Sequence, residues 1–135
     1  MTKTFKQLNE IDNTVGAMYL ENPDLKNSKF GYGYKRFYQK NLETAFQEYK
    51  EELLNTRIDH ALVDEKTKAI LTDKDSTRGF MYDKIGIRNV IKAEKDLAEK
   101  YMEKEYEIEP YFIAPENLPE LSESELEVLK GVLVE

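Results

Sequence analysis

His60 is the residue best suited by type to catalysis, because an imidazole can gain or lose a proton near neutral pH. It is the single histidine of the chain, and Asp59 and Asp64 stand close to it in the sequence. These residues could form a small enzyme built around His60 and Asp64. No recognisable nucleophile accompanies them, since the motifs Gly-x-Ser-x-Gly and His-Glu-x-x-His are absent. We therefore rank this function third of three and predict no catalytic residues.

A second candidate is an oxygen-rich segment that is similar to a calcium-binding loop. Asp73, Asp75 and Thr77 alternate along it, and Gly79 follows. The glycine lies one place later than such a loop requires, and Lys84 occupies the position of the final glutamate ligand. Aspartate and threonine also favour ordinary turns, because their side chains bind nearby backbone groups. We predict a turn and no metal site, since the chain also lacks Cys and has one His.

Gly31 and Gly33 raise the question of a phosphate-binding loop. No strand pattern precedes them, so the signal is weak, and a close approach of two backbone segments is the simpler explanation. Lys35, Arg36 and Lys40 follow, but three bases on one face are fewer than nucleic-acid binding requires. We predict no cofactor, and direct nucleic-acid binding is not expected.

Charge is distributed unevenly along the chain, which has 20 basic and 27 acidic residues and a net charge of −7. Residues 94–135 contain thirteen acids and four bases, so they carry −9, and residues 1–93 carry +2. An acidic surface ordinarily serves solubility. The alternative is an inhibitor that imitates nucleic acid or docks onto a basic host protein. The residues that would do so are Glu103, Glu105, Glu107 and Glu109.

Helical periodicity dominates the first 58 residues. Apolar residues recur at spacings of three and four over residues 2–20 and again over residues 30–53. Either Thr4 or Thr2 could cap the first helix. Because a short, proline-containing connection separates the two patterns, we predict an antiparallel helical hairpin over residues 1–58.

The pattern changes over residues 59–113, where short apolar runs alternate with polar turns. This predicts a small antiparallel β-meander. Its strands are residues 61–63, 69–71 and 78–82. An amphipathic helix over about residues 84–104, capped by Asp83, is expected to pack on the meander, and residues 106–113 could add a strand.

Residues 114–135 form a proline-containing connection and a short terminal helix. Ser122 followed by Glu125 matches a capping box. The helix has too few turns to be stable alone, so it must dock on this chain or on another. Taken together, the patterns predict a single domain of the α+β class.

Two apolar faces could be either core or interface. Aromatic residues at helical spacing usually pack inward, but Tyr is also favoured where proteins meet. The sequence leaves both interpretations open. If the faces form an interface, its residues are Tyr32, Tyr34, Phe37 and Tyr38 on the hairpin and Leu126, Leu129 and Leu133 on the terminal helix.

Two segments resemble small structural and assembly proteins of tailed bacteriophages. They are residues 113–126 (IAPENLPELSESEL) and residues 61–71 (ALVDEKTKAIL), the latter followed by a strand and a helix. The resemblance covers roughly residues 55–135 and implies a virion or assembly component, with no cofactor or active residues to carry over.

The leading hypothesis is therefore a non-enzymatic phage structural or virion-assembly protein that acts through protein–protein contacts. Its partners would be other virion or assembly proteins or further copies of itself. No apolar run reaches membrane-spanning length and no signal-peptide pattern opens the chain, so the expected location is the virion or the host cytoplasm.

Overall fold

The computed structural model describes all residues from 1 to 135. It contains two compact units, which we call the terminal unit (Met1–Phe46 with Met102–Glu135) and the central unit (Gln47–Tyr101). The elements are β1 (Thr2–Thr4), α1 (Phe5–Glu21), α2 (Lys29–Asn41), α3 (Glu43–His60), α4 (Lys84–Met102), β2 (Glu105–Glu107) and α5 (Glu123–Leu129). Five helices and one antiparallel pair of strands confirm the predicted α+β class with helices at the N-terminal end.

α1 begins at a capping box centred on Thr4, which decides between the two candidate caps. Thr4 Oγ1 accepts the N–H of Gln7 at 3.2 Å, and Gln7 Oε1 accepts the N–H of Thr4 at 2.8 Å. The predicted apolar stripe is the buried face of this helix. Its buried members are Phe5, Leu8, Ile11, Val15 and Met18.

The prediction of one continuous helix over residues 30–53 is wrong, because the helix is interrupted at Leu42 between α2 and α3. The residue before the interruption makes long-range bonds. Asn41 Nδ2 donates to the carbonyl of Glu109, and Asn41 Oδ1 accepts the N–H of Glu109, both at 2.8 Å. Asn41 Nδ2 also donates to the carbonyl of Phe37 at 3.1 Å within α2, and a side-chain bond to nearby backbone of this kind competes with regular helix. Leu42 itself is fully buried.

The segment after α4, which could have added a strand to the meander, pairs with the N-terminal residues instead. β2 pairs antiparallel with β1, and Lys3 lies opposite Tyr106 in the register. The free amino group of Met1 and the hydroxyl of Thr2 both bind the Glu107 carboxylate. The N-terminal residues, which the periodicity had placed in a helix, therefore supply the partner strand.

The terminal helix docks on its own chain, but it ends at Leu129, so the prediction that Leu133 belongs to the helix is wrong. Ser122 and Glu125 form the predicted capping box, with bonds of 3.2 and 2.8 Å. The N–H of Tyr111 then donates to Val132 and the N–H of Ile113 to Leu133, each at 2.9 Å. These bonds bring the apolar C-terminal residues into the core of the terminal unit.

The meander of the central unit is reduced to single bridges. Val63 pairs with Ile70 and Thr72 with Phe80, both antiparallel, so the predicted pairing is present without a strand. Asp83 accepts the N–H of Gly86 at 2.6 Å, which confirms it as the cap of α4. The side chains of Val63 and Ile70 are exposed, so their pairing buries little apolar surface. A bridge that buries so little is not expected to extend into longer strands.

Candidate interaction surfaces

His60 and Asp64 lie in the central unit, where each makes hydrogen bonds to backbone groups near it in the sequence. Nδ1 of half-buried His60 donates to the carbonyl of Thr56 at 2.9 Å, within its own helix. Asp64 accepts the N–H groups of Lys66 and Thr67 at 2.8 and 2.9 Å, which close a turn and lower the pKa of its carboxyl. No hydrogen bond joins His60 to Asp64, so the structure does not assemble the pair that the third hypothesis requires.

The calcium-like segment is a turn, as predicted. Asp73 Oδ1 accepts the N–H of Asp75 at 3.0 Å, and Ser76 Oγ accepts the N–H of Gly79 at 3.0 Å. Gly79 has a φ of +82°, a conformation that favours glycine. The structure gathers no group of three or more acidic or histidine side chains that could hold a metal ion.

Four of the seven expected interface residues are buried within their own chain. They are Tyr34, Phe37, Leu129 and Leu133. The reason is that the terminal unit closes both apolar faces itself, with α5 packed on α1. Tyr38 is half-buried, whereas Tyr32 and Leu126 are 59% and 40% exposed. The interface expectation therefore applies to these three residues alone.

A polar contact between α1 and α2 explains why a tyrosine lies in this core. The hydroxyl of Tyr34 donates to Oδ1 of Asp12 at 2.5 Å. Burial raises the pKa of Tyr34 far above its ordinary value of 10.0, and the bond to Asp12 raises it further. Burial and the charge of Asp12 also raise the pKa of Tyr19. Both tyrosines are therefore neutral across the physiological range, and the Tyr34 hydroxyl serves as a hydrogen-bond donor to Asp12.

Two of the four acids assigned to the inhibitor hypothesis are used inside the terminal unit. Glu107 binds the N-terminus and Thr2, and Glu109 binds Lys40 Nζ at 2.5 Å. These partners lower the pKa of both carboxyl groups. Glu103 and Glu105 are exposed. The acidic surface is thus partly neutralised by its own chain.

The central unit displays apolar side chains that the sequence-based interface did not include. Its buried residues are Val90 and Tyr101 alone. Ile85 is 69% exposed and Ile91 is 51% exposed on α4. Leu54, Val63, Ile70 and Met81 are also exposed large hydrophobic residues of this unit.

An open cleft of about 460 Å³ lies in the same unit. Its lining includes Phe80, Met81 and Ile87, with Arg78 and Lys84 at its polar positions. For the exposed isoleucines outside this cleft, the signal in the sequence is the spread of isoleucines around α4. Because Ile85 and Ile91 do not share a face with buried Val90, one stripe cannot bury them all.

Comparison with protein-family models, curated proteins and solved structures found no match to this chain. None of its helices combines the length and apolar character needed to span a bilayer.

Proposed function

We propose that this chain is a non-enzymatic structural or assembly protein that acts through protein–protein contacts made by its central unit. The observation that carries the proposal is the concentration of exposed apolar residues on a unit with two buried residues. Large exposed apolar patches often mark interaction sites, and in this proposal the exposed residues of the central unit supply such a patch. In the proposed contact, Ile85 and Ile91 of α4 lie against a partner and lose their exposure to water.

A second copy of the chain is the partner that charge favours. The central unit has twelve acidic and eleven basic residues, so its formal charge is −1, whereas the terminal unit carries −6. Two central units would meet with almost no net repulsion, and their mixed surface charges can pair around an apolar centre. Contacts between two terminal units would oppose charges of the same sign.

The resemblance of residues 61–71 and 113–126 to tailed-phage proteins supports a role in the virion or in its assembly. Residues 61–71 belong to the central unit and include the exposed apolar residues Val63 and Ile70. The expected location is accordingly the virion or the host cytoplasm.

Introducing negative charge at exposed apolar residues tests this proposal. The double variant Ile85→Glu and Ile91→Glu should be a monomer in multi-angle light scattering at concentrations where the unmodified chain associates. Both side chains are exposed, so the substitutions remove no core packing. Leu20→Glu is the matched control, because Leu20 is 85% exposed on α1 of the terminal unit. Association that survives the double variant, or that is lost in the control, would contradict the proposal.

A further inference from the structure

Helix α2 and the residues just before it carry a concentration of positive charge that the rest of the chain does not share. Residues 25–42 contain five bases and no acid, so the remaining residues carry −12. The bases are Lys26, Lys29, Lys35, Arg36 and Lys40, and all five are exposed. A positive surface on an acidic protein selects for an anionic ligand, because like charge elsewhere repels anions from other faces.

Lys29, Tyr32, Arg36 and Lys40 form one stripe along α2. Their spacings of three, four and four residues place them on the same face of a helix. At a rise of 1.5 Å per residue the stripe is about 16 Å long. An exposed aromatic ring therefore lies within a row of cations.

Tyr32 lines two clefts of the terminal unit. One cleft, of about 390 Å³, is lined by Tyr32 together with Lys29, Arg36 and Phe112. The other, of about 560 Å³, is lined by Tyr32 together with Lys35 and other residues. The aromatic residues of the two linings are Tyr19, Tyr32, Tyr34, Tyr38, Tyr111 and Phe112. Each cleft thus combines aromatic surface with positive charge.

The cations of these clefts are mostly available to a ligand. Lys26, Lys29 and Lys35 make no ion pair within the chain, whereas Lys40 pairs with Glu109. Arg36 Nη1 donates to the hydroxyl of Tyr111 at 3.0 Å, an uncharged partner that leaves the guanidinium charge uncompensated. The single acid in either lining is Asp12, which accepts the Tyr34 hydroxyl.

We propose that this face of α2 binds single-stranded nucleic acid. The phosphates lie along Lys29, Lys35 and Arg36, and neighbouring bases enter the clefts on the two sides of the Tyr32 ring. Stacking on exposed aromatic rings within a positive groove is how proteins hold single strands without reading their sequence. A purely acidic protein partner would use the cations but would have no need of exposed Tyr32 and Phe112.

This proposal revises the sequence-based expectation about nucleic acid, and it does not depend on the contacts proposed for the central unit. In the sequence, three bases follow the two glycines. The fold adds Lys26 and Lys29 to that face and brings Phe112 beside it from a segment far along the chain.

Fluorescence anisotropy with labelled oligothymidylate and oligouridylate, on the full chain at low salt, tests the proposal. Binding of either strand is expected, and the ratio of the two affinities distinguishes DNA from RNA. Affinity should fall as salt rises, by about 0.7 logarithmic units per phosphate contact for each tenfold increase. Tyr32→Ala should weaken binding at least about 5-fold through lost stacking, and Lys29→Gln with Arg36→Gln should reduce the salt dependence.

Control variants distinguish binding at this site from general electrostatic attraction of the oligonucleotide to basic residues. Lys84→Gln with Lys92→Gln removes two exposed bases of α4 and should leave binding unchanged. Circular dichroism of each variant establishes that the helices persist. The proposal is overturned if neither strand binds at low salt, or if Tyr32→Ala has no effect. It is also overturned if polyglutamate binds as tightly as the oligonucleotides, which would indicate an acidic protein partner.

Discussion

Arg57 Nε donates a hydrogen bond of 2.6 Å to Oε2 of Glu94, and so joins α3 to α4 within the central unit. Arg78 binds the other carboxylate oxygen, with Nη2 at 2.7 Å from Oε1. The Glu94 side chain is 15% exposed. Because the apolar core of this unit is small, the paired guanidinium groups hold together segments that hydrophobic burial leaves loosely attached.

Replacing Glu94 by Gln should destabilise the central unit. The change leaves two partly buried guanidinium groups without their shared anion, and it should lower the free energy of unfolding by about 1–3 kcal/mol. Urea denaturation followed by circular dichroism measures the loss. Glu99→Gln is the control, since Glu99 is exposed on α4 and should change stability by less than about 0.5 kcal/mol. Equal stability of the two variants would contradict this role for Glu94.

The same triad predicts an acid-dependent loss of stability. Burial works to raise the pKa of Glu94, but the bonds and charges of Arg78 and Arg57 outweigh it, so the pKa lies below the ordinary 4.5. A depressed pKa contributes stability above pH 4.5 that is lost as pH falls through the folded-state value. The difference in unfolding free energy between the unmodified chain and Glu94→Gln should therefore shrink below pH 4.5. A constant difference down to pH 2 would disprove this linkage.

Tyr34→Phe should weaken the terminal unit, because it deletes the hydroxyl that binds Asp12 while keeping the ring. The expected cost is about 1–2 kcal/mol, as for a hydrogen bond to a charged acceptor. Thermal unfolding of this variant can be compared with that of Tyr38→Phe, whose hydroxyl has no such partner. If both variants unfold at the same temperature, the Tyr34 bond does not contribute to stability.

Substitution by alanine should have opposite effects on stability at Gly31 and at Gly16. A Cβ at Gly31 would lie 2.2 Å from the carbonyl oxygen of Lys26, so Gly31→Ala must displace backbone and should cost about 2 kcal/mol or more. At Gly16 no atom lies within 4 Å of an added Cβ, so Gly16→Ala should stabilise α1 by about 0.5–1 kcal/mol. Chemical denaturation of the two variants should give changes of opposite sign. A stabilising Gly31→Ala would refute the close approach.

Local signals in the sequence predicted local structure. The α1 stripe and the caps at Ser122 and Asp83 depend on residues within a few positions of one another, so they could be recognised without the fold. The interruption at Leu42 could not, because it accompanies bonds between Asn41 and Glu109, which are 68 residues apart. Local periodicity carries no information about such pairs.

The candidate surfaces show the same difference between features set by nearby residues and features set by residues far apart in the sequence. Leu129 and Leu133 were recognisable as one apolar face, but the sequence could not decide whether this chain or another would cover it. The docking of α5 on α1 decides this. In the central unit, exposure of Ile85 and Ile91 follows from the lack of a neighbouring element to cover them, which periodicity alone does not report.

The molar mass of the unmodified chain in solution tests the central claim most directly. One chain has a mass of 15.8 kDa. Light scattering coupled to size-exclusion chromatography, over a series of concentrations up to about 100 μM, should give a mass that rises toward at least two chains, as expected for a moderate apolar contact. A mass of 15.8 kDa at every concentration would contradict self-association through the central unit.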